Sequence, residues 1–320
     1  MGMTHANSIT VVALAKPEVH DPRSERVKGG RFSPLRHYVE QTKPRILLMV
    51  LVTTTFGFLL GGGRHGSVAL LFFTLMGVGG ATGGAAALNN YLERDFDAKM
   101  ARTRGRALPA GLIDPFRALM FGVSLVLFGV LLLVWAANLL TGFLVLLAAF
   151  LYVLVYTPLK RITWWNTTLG AIPGAIPPMA GWAAATGHVG AGAWALFAIL
   201  FAWQHPHFFA IAWIFRDDYR AAGFKMLPAI EPSGDRTVQL TIGFSLVLLG
   251  VSVVPTLIGM AGWTYFFGTF VIGLLMLAAA LGFARDRSAG NARRLLKVSV
   301  LYLPLLLGFI LLDACFNWLG

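Results

Sequence analysis

Apolar residues dominate this chain in long blocks that are separated by short charged stretches. The blocks are about 20 residues long, which is the length that an α-helix needs to cross a bilayer core. They lack the period-two alternation of transmembrane β-strands and are too long for such strands. The pattern predicts an all-α, polytopic membrane protein with nine spans, at 46–63, 67–92, 117–137, 139–158, 164–186, 192–215, 238–258, 260–283 and 298–318.

The composition agrees with membrane spans. Of the 320 residues, 57% are hydrophobic and 12% are charged, whereas a soluble domain carries about 25% charged residues. The formal net charge is +12, which in a soluble protein would suggest a nucleic-acid partner. Here every lysine and arginine except Arg64 falls in the N-terminal segment or in the loops after the even-numbered spans. The positive-inside rule therefore predicts a cytoplasmic N-terminus, and no nucleic-acid partner is expected.

The first 45 residues are polar and contain Pro17, Pro22 and Pro34, without the apolar core of a signal peptide. We interpret residues 1–45 as a cytoplasmic, mostly disordered tail that ends in an interfacial segment over 34–45. Residues 46–320 are expected to form one intramembrane domain. The single cysteine excludes an internal disulfide.

A first cluster of polar residues stands where the second span meets the cytoplasm. On a helix, Asn89, Glu93 and Asp97 are four residues apart and share one face, whereas Asp95 points roughly the opposite way. Oxygen ligands of this kind suit Mg²⁺, which proteins hold with a few carboxylates and substrate phosphates. A solvated helix end with acids paired to neighbouring bases is the competing interpretation. Against it, the amide of Asn89 is costly inside an apolar helix.

Basic residues accompany this cluster, at Lys99, Arg102, Arg104 and Arg106 in the loop after it. Guanidinium groups beside a carboxylate–metal site match the oxygens of a diphosphate. The positive-inside rule explains any single one of these residues equally well. The small residues at 83–87 allow close helix packing, so we expect the nine helices to surround a central cavity.

A second cluster spans the end of the sixth predicted helix. Trp203, His207 and Asp218 lie close to one helical stripe, which puts His207 near the bilayer midplane. A histidine there is a functional hypothesis, although a histidine bonded to a carbonyl freed by Pro206 explains it equally well. Asp217 and Asp218 either complete a second carboxylate group opposite the first or cap the span.

The fifth span carries several helix-breaking residues, including Pro173, Pro177 and Pro178. Proline inside a helix removes a backbone hydrogen bond. The sequence therefore predicts a broken helix, which membrane proteins tolerate where it lines a cavity or the protein interior.

These motifs resemble those of the intramembrane aromatic prenyltransferases, the UbiA superfamily. The segment Asn89-Asn90-x-x-Glu93-x-x-x-Asp97 is similar to that family's Asn-Asp-x-x-Asp-x-x-x-Asp motif. At the second motif the chain departs from the family pattern, because Phe215 and Tyr219 stand where acids would align. The segments 156–161, 203–208 and 217–228 most resemble the branch of the family that farnesylates haem, the protohaem IX farnesyltransferases.

The resemblance implies that farnesyl is transferred from farnesyl diphosphate to the 2-vinyl group of haem B with addition of water, giving haem O. It also implies two Mg²⁺ ions, whose ligands would be Asn89, Glu93, Asp97, Asp217 and Asp218. Diphosphate would be bound by Lys99, Arg102, Arg106, Lys160, Arg161 and Lys225. Haem or prenyl contacts would come from Trp203, His205, His207 and Tyr219, with His207 and Lys160 as catalytic residues.

The resemblance also implies a bacterial inner membrane location, a cytoplasmic active-site face, and haem A synthase or oxidase assembly proteins as partners. Two other functions remain open. A superfamily member that prenylates a quinone precursor, such as 4-hydroxybenzoate, would share the diphosphate site but have no use for the segment 203–207. A secondary transporter also uses broken helices and polar groups at the midplane, but the acids here gather at one membrane face.

Overall fold

The structure, a computed structural model, describes residues 33–62 and 67–319, and these residues contain helices and no strands. The N-terminal segment 1–32, Arg64 and the side chain of Cys315 lie outside the description. The helices are α1 (Ser33–Gln41), α2 (Pro44–Gly62), α3 (Val68–Asp97), α4 (Pro115–Ala136), α5 (Leu139–Phe150), α6 (Thr157–Leu159), α7 (Asn166–Thr186), α8 (Ala191–Ile214), α9 (Arg216–Ala221), α10 (Leu227–Ile230), α11 (Asp235–Val251), α12 (Val254–Leu257), α13 (Trp263–Arg285) and α14 (Ala289–Leu319).

Eight helical segments within the described ranges are long and apolar enough to cross a membrane. They confirm the prediction of an all-α, multi-pass membrane protein. The predicted fifth span corresponds to α7, a ninth long helix of 21 residues that is not among these eight. The count of nine spans and the cytoplasmic N-terminus stay predictions. The interfacial segment expected over 34–45 contains α1, and α2 begins at Pro44.

The predicted break in the fifth span is wrong, because α7 is one continuous helix that contains Pro173, Pro177 and Pro178. Its neighbours α2, α5 and α8 pack around it, so most of its length is buried. Gly57 of α2 lies against the backbone of Pro178, and Gly181 of α7 lies against the backbone of Thr54. A Cβ at either glycine would collide with the facing backbone, so the two helices meet at small residues as membrane helices commonly do.

Two apolar clusters hold the bundle together. One joins α8, α11, α13 and α14 and contains the fully buried rings of Tyr265, Phe283 and Tyr302. The other joins α3, α5 and α7. Between α5 and α6 the backbone takes a π-helical turn over Leu151–Tyr156, a rare conformation that is often found at functional sites. That turn ends beside the polar face of α3.

Candidate active site

The polar face predicted for the second span exists at the C-terminal end of α3. Asn89, Glu93 and Asp97 are only 1%, 5% and 1% exposed, respectively. Asp95 is directed away from them, with 76% of its side chain exposed and Arg94 at 3.7 Å. Burial of two carboxylates and an amide on one helix face is inconsistent with a merely solvated helix end.

Each of the two buried carboxylates is paired with a cation. Lys160 Nζ donates a hydrogen bond to Glu93 Oε1 at 2.7 Å, and Arg106 Nη1 donates one to Asp97 Oδ2 at 2.7 Å. Burial disfavours the charge on Lys160, but the carboxylate of Glu93 together with the hydroxyls of Tyr156 and Tyr152 outweighs burial and raises the pKa of the lysine. The lysine therefore stays charged beside the acid. The arrangement offers oxygen ligands and phosphate-binding groups within one site.

Asn89 also has a partner in the basic N-terminal segment, a lysine that no motif of the sequence singles out. Lys43, between α1 and α2, donates from Nζ to Asn89 Oδ1 at 2.6 Å, and Asn89 Nδ2 donates to Thr157 Oγ1 at 2.9 Å. Burial, followed by the charge of Lys160, lowers the pKa of Lys43 to about 7. The contact spans 46 residues of chain, and no local motif could have indicated it.

Asn90, the next residue of α3, joins α1 to α3. Its Nδ2 atom donates to Gln41 Oε1 at 2.9 Å, while its buried Oδ1 atom has no partner among the described residues. A small cleft opens at this junction. It is lined by Glu40, Gln41, Lys43, Asn90, Arg106 and Ala107.

The remaining basic residues lie around this site without reaching the carboxylates. The exposed Lys99 lies over the ring of Phe96 and the exposed Arg102 over that of Phe215, at 5.4 Å and 5.1 Å from the ring centroids. Arg161 also stacks on Phe96, at 4.3 Å. Its Nη2 atom donates to the backbone oxygen of Leu92 at 3.3 Å.

Apolar and backbone contacts join the two predicted motifs at the same end of the bundle. The rings of Phe96 and Phe224 lie 5.6 Å apart, and Tyr219 packs edge-on to Phe224 at 6.1 Å. The exposed Lys225 donates its backbone N–H to the carbonyl of Lys160 at 2.6 Å. The segment that follows α9 therefore lies against the residues that carry the α3 face.

The helical stripe predicted from Trp203 to Asp218 is wrong, because α8 ends at Ile214 and Phe215 leaves the helical conformation before α9 begins. Asp217 has 78% of its side chain exposed and is bonded to Arg220 at 3.1 Å. Within residues 33–62 and 67–319, no three His, Cys, Asp or Glu side chains are grouped closely enough to hold a metal. The assignment of Asp217 and Asp218 to a second carboxylate group opposite the first stays a prediction.

Earlier in α8, before its end at Ile214, two rings stack on the half-buried side of the helix. Trp203 and His207 have ring centroids 4.8 Å apart and planes 21° apart. Trp203 Nε1 donates to the backbone oxygen of Ser299 on α14 at 2.8 Å. His205 is fully buried and its ring nitrogens contact the carbonyl of Phe201 and, more distantly, the hydroxyl of Thr168. In this conformation His205 has no surface to offer a substrate.

Comparison with known proteins places this architecture in one family. The model of the UbiA prenyltransferase family matches residues 50–318. A relative named protoheme IX farnesyltransferase in Solibacter usitatus is 43% identical over 87% of this chain and 99% of its own length. Relatives of the same name in Salinibacter ruber and Gloeobacter violaceus are 46% identical over 86% of the chain and 39% identical over 92%, covering 98% and 97% of their own lengths.

Solved structures share the fold at lower sequence identity. A structure of digeranylgeranylglyceryl phosphate synthase has a TM-score of 0.76 at 14% identity, covering 88% of this chain and 99% of that one. A UbiA homologue from Archaeoglobus fulgidus bound to GPP and Mg²⁺ has a TM-score of 0.61 at 17% identity, covering 86% of this chain and 99% of that one. Fold, family model and relatives agree over almost the whole described chain. The chain belongs to the UbiA prenyltransferase family.

Proposed function

We propose that this protein transfers the farnesyl group of farnesyl diphosphate to the 2-vinyl group of haem B, with addition of water, to give haem O. The observation that carries this proposal is the 43% identity over 87% of the chain to a protein named protoheme IX farnesyltransferase. The alignment covers 99% of that relative's length, so nearly every segment of the relative has an aligned counterpart in this chain. The buried, cation-paired carboxylates of α3 provide the chemistry that the transfer needs.

The diphosphate end of the substrate binds beside the α3 face in this proposal. Lys160 and Arg106 already point their charges at Glu93 and Asp97. When an anionic substrate arrives, the same two side chains donate to its phosphate oxygens and neutralise the leaving diphosphate. Lys160 thereby acts as a catalytic residue. The exposed Lys99, Arg102 and Lys225, with Arg161, add positive charge around the entrance.

The donor chemistry of the α3 face fits Mg²⁺. Asn89, Glu93 and Asp97 supply oxygen ligands, and substrate phosphates complete the shell that Mg²⁺ prefers. When bound, Mg²⁺ neutralises charge that develops on the leaving diphosphate. The homologue from Archaeoglobus fulgidus was solved with Mg²⁺ and a prenyl diphosphate, which supports the requirement for the ion. A second ion would bind Asp217 and Asp218, where it must compete with Arg220 for the exposed carboxylate of Asp217.

We assign the haem-binding end of the site to the stacked rings of Trp203 and His207 on α8, the ring pair. Trp203 offers an apolar face to the farnesyl cation as it forms, and His207 contacts haem or accepts a proton when water adds. In this proposal Tyr219, which packs against Phe224, contacts the prenyl chain. The apolar bundle around these residues shields the allylic cation from premature reaction with water.

The protein is an integral, multi-pass membrane protein. We place it in the bacterial inner membrane, with the active-site face in the cytoplasm, because its basic residues surround the site and the similar proteins are bacterial. As partners we propose haem A synthase or oxidase assembly proteins, which would receive haem O.

The test is an incubation of the purified protein in detergent with haem B, farnesyl diphosphate and Mg²⁺, followed by mass analysis of the extracted haem. A haem that is heavier by farnesyl plus water supports the proposal if it is absent with EDTA and with Glu93→Ala. Asp95→Ala serves as the control, because Asp95 lies next to the α3 face but points to solvent.

The same incubation with 4-hydroxybenzoate, and a separate flux measurement in vesicles, distinguish the other functions. Prenyl transfer to 4-hydroxybenzoate without a new haem would retain the diphosphate site and overturn the acceptor. Substrate flux across vesicles without release of diphosphate would overturn the enzymatic function and favour a transporter. The identity to named farnesyltransferases favours neither of these outcomes.

A further inference from the structure

The hydroxyl of Ser299 on α14 contacts one of the two ring nitrogens of His207. Ser299 Oγ donates its hydrogen bond to the backbone oxygen of Leu296 at 2.7 Å. His207 Nδ1 lies 2.9 Å from the same hydroxyl oxygen. A hydroxyl has one proton and two lone pairs, so while that proton is donated to Leu296 the oxygen can accept from a protonated Nδ1.

The opposite assignment leaves an N–H group of the ring without a protein acceptor. If Ser299 donated to Nδ1, the proton of the neutral imidazole would lie on Nε2. No described residue accepts a hydrogen bond from His207 Nε2. Nδ1–H has a protein acceptor in place, and the described residues offer none to Nε2–H, so the network favours the Nδ1–H tautomer.

Ser299 fixes the position of the ring as well as its proton. Its backbone oxygen accepts from Trp203 Nε1, and its hydroxyl accepts from His207, so one fully buried residue holds both stacked rings. His205, two residues away, contrasts with this arrangement because both of its nitrogens contact protein atoms. On His207 the unprotonated Nε2 is the ring atom left for a substrate.

We infer that Ser299 is a positioning residue, which holds His207 in the Nδ1–H tautomer so that the Nε2 lone pair meets the haem substrate. The inference rests on the proposed function for the identity of that substrate. A lone pair at Nε2 serves either role proposed for His207, because it can bind iron or accept a proton from water. Partners that set the tautomer of a functional histidine typically change activity by about 10- to 100-fold when they are removed.

The direct test is nitrogen NMR of protein labelled with ¹⁵N-histidine, recorded without substrate. The difference between the wild type and His207→Gln isolates the two ring signals of residue 207. We expect a protonated Nδ1 and an unprotonated Nε2 in the wild type, and a shift toward Nε2–H in Ser299→Ala. A wild-type His207 protonated on Nε2 would overturn the inference, even if Ser299→Ala does not fold.

Ser245→Ala is the matched control, because Ser245 is also fully buried and its hydroxyl bonds only the carbonyl of Thr241 in its own helix. It should leave the His207 signals unchanged. In the haem assay, Ser299→Ala should lower kcat about 10- to 100-fold with the KM for farnesyl diphosphate unchanged. Equal kcat in the two serine variants would contradict the inference. An inactive wild type with the Nδ1–H tautomer would overturn the proposed function and leave the tautomer standing.

Discussion

Lys160 Nζ lies 2.7 Å from Glu93 Oε1, although 67 residues separate the two along the chain. Lys160 is therefore the counter-ion of Glu93 on the polar face of α3. Removing two charges from water is costly, and a buried ion pair recovers that cost only with close geometry. A metal that binds Glu93 is repelled by the charge of this lysine unless another anion attracts the lysine away.

This relationship predicts that Mg²⁺ binds weakly alone and tightly with diphosphate. Diphosphate attracts Lys160 and Arg106 away from the carboxylates and completes the shell of the ion, so each ligand should promote binding of the other. Titration calorimetry with Mg²⁺, with and without inorganic pyrophosphate, measures the effect. Lys160→Met should strengthen Mg²⁺ binding without pyrophosphate, whereas Lys99→Met, at an exposed lysine, should not. Equal Mg²⁺ affinity with and without pyrophosphate would contradict the prediction.

The two arginines at positions 104 and 106 give a matched comparison. Arg106 bonds the buried Asp97, whereas Arg104 is exposed and forms no ion pair with the described residues. Because a hydrogen bond to a charged group contributes about 1.5–3 kcal/mol, Arg106→Ala should raise the KM for farnesyl diphosphate about 10- to 100-fold. Arg104→Ala should leave it nearly unchanged. Steady-state kinetics decide the matter, and similar KM values for the two variants would argue against phosphate binding by Arg106.

Asp97 and Asp95 provide the corresponding test for the metal. Asp97 is buried on the α3 face, while Asp95 is exposed on the other side of the helix. Asp97→Asn keeps the size of the side chain and removes its charge, so we expect activity to fall and the Mg²⁺ concentration for half-maximal rate to rise. Asp95→Asn should show wild-type dependence on Mg²⁺. A rate profile for Asp97→Asn that matches the wild type would remove Asp97 from the metal site.

The polar face itself was predictable from sequence, because spacing by four residues fixes a common helix face whatever surrounds it. The cations on that face were predictable only in part. The loop sequence indicated Arg106, which is nine residues from Asp97. Lys43 and Ser299 reach their partners across 46 and 92 residues, and only the packing of the helices brings such residues together.

The two wrong predictions have separate physical causes. In α7 the prolines suggested a break, yet neighbouring helices enclose it and hold the helix continuous. In α8 the helical period of the sequence continues past Ile214, whereas Phe215 leaves the helical conformation. No proline or glycine in the sequence marks that position. Sequence patterns thus located the elements well and missed the changes that packing imposes on their ends and interiors.

The contact between α2 and α7 supplies a prediction about stability. A Cβ at Gly181 would collide with the backbone of Thr54, and backbone atoms cannot rotate away as a side chain can. Gly181→Ala must therefore push the helices apart. Overpacking of this kind typically costs about 1–3 kcal/mol, so the melting temperature in detergent should fall.

Gly243→Ala isolates the effect of packing from that of helix propensity. Gly243 lies within α11, where an added Cβ would meet no atom within 4 Å, and alanine is a better helix former there. Its melting temperature should equal or exceed that of the wild type. Gly181→Ala should also lower activity in the haem assay. α7 packs against α8 as well as α2, so pushing α7 away from α2 would shift the stacked rings of Trp203 and His207. If Gly181→Ala has the same melting temperature as the wild type, the close approach of α2 and α7 is not a determinant of stability.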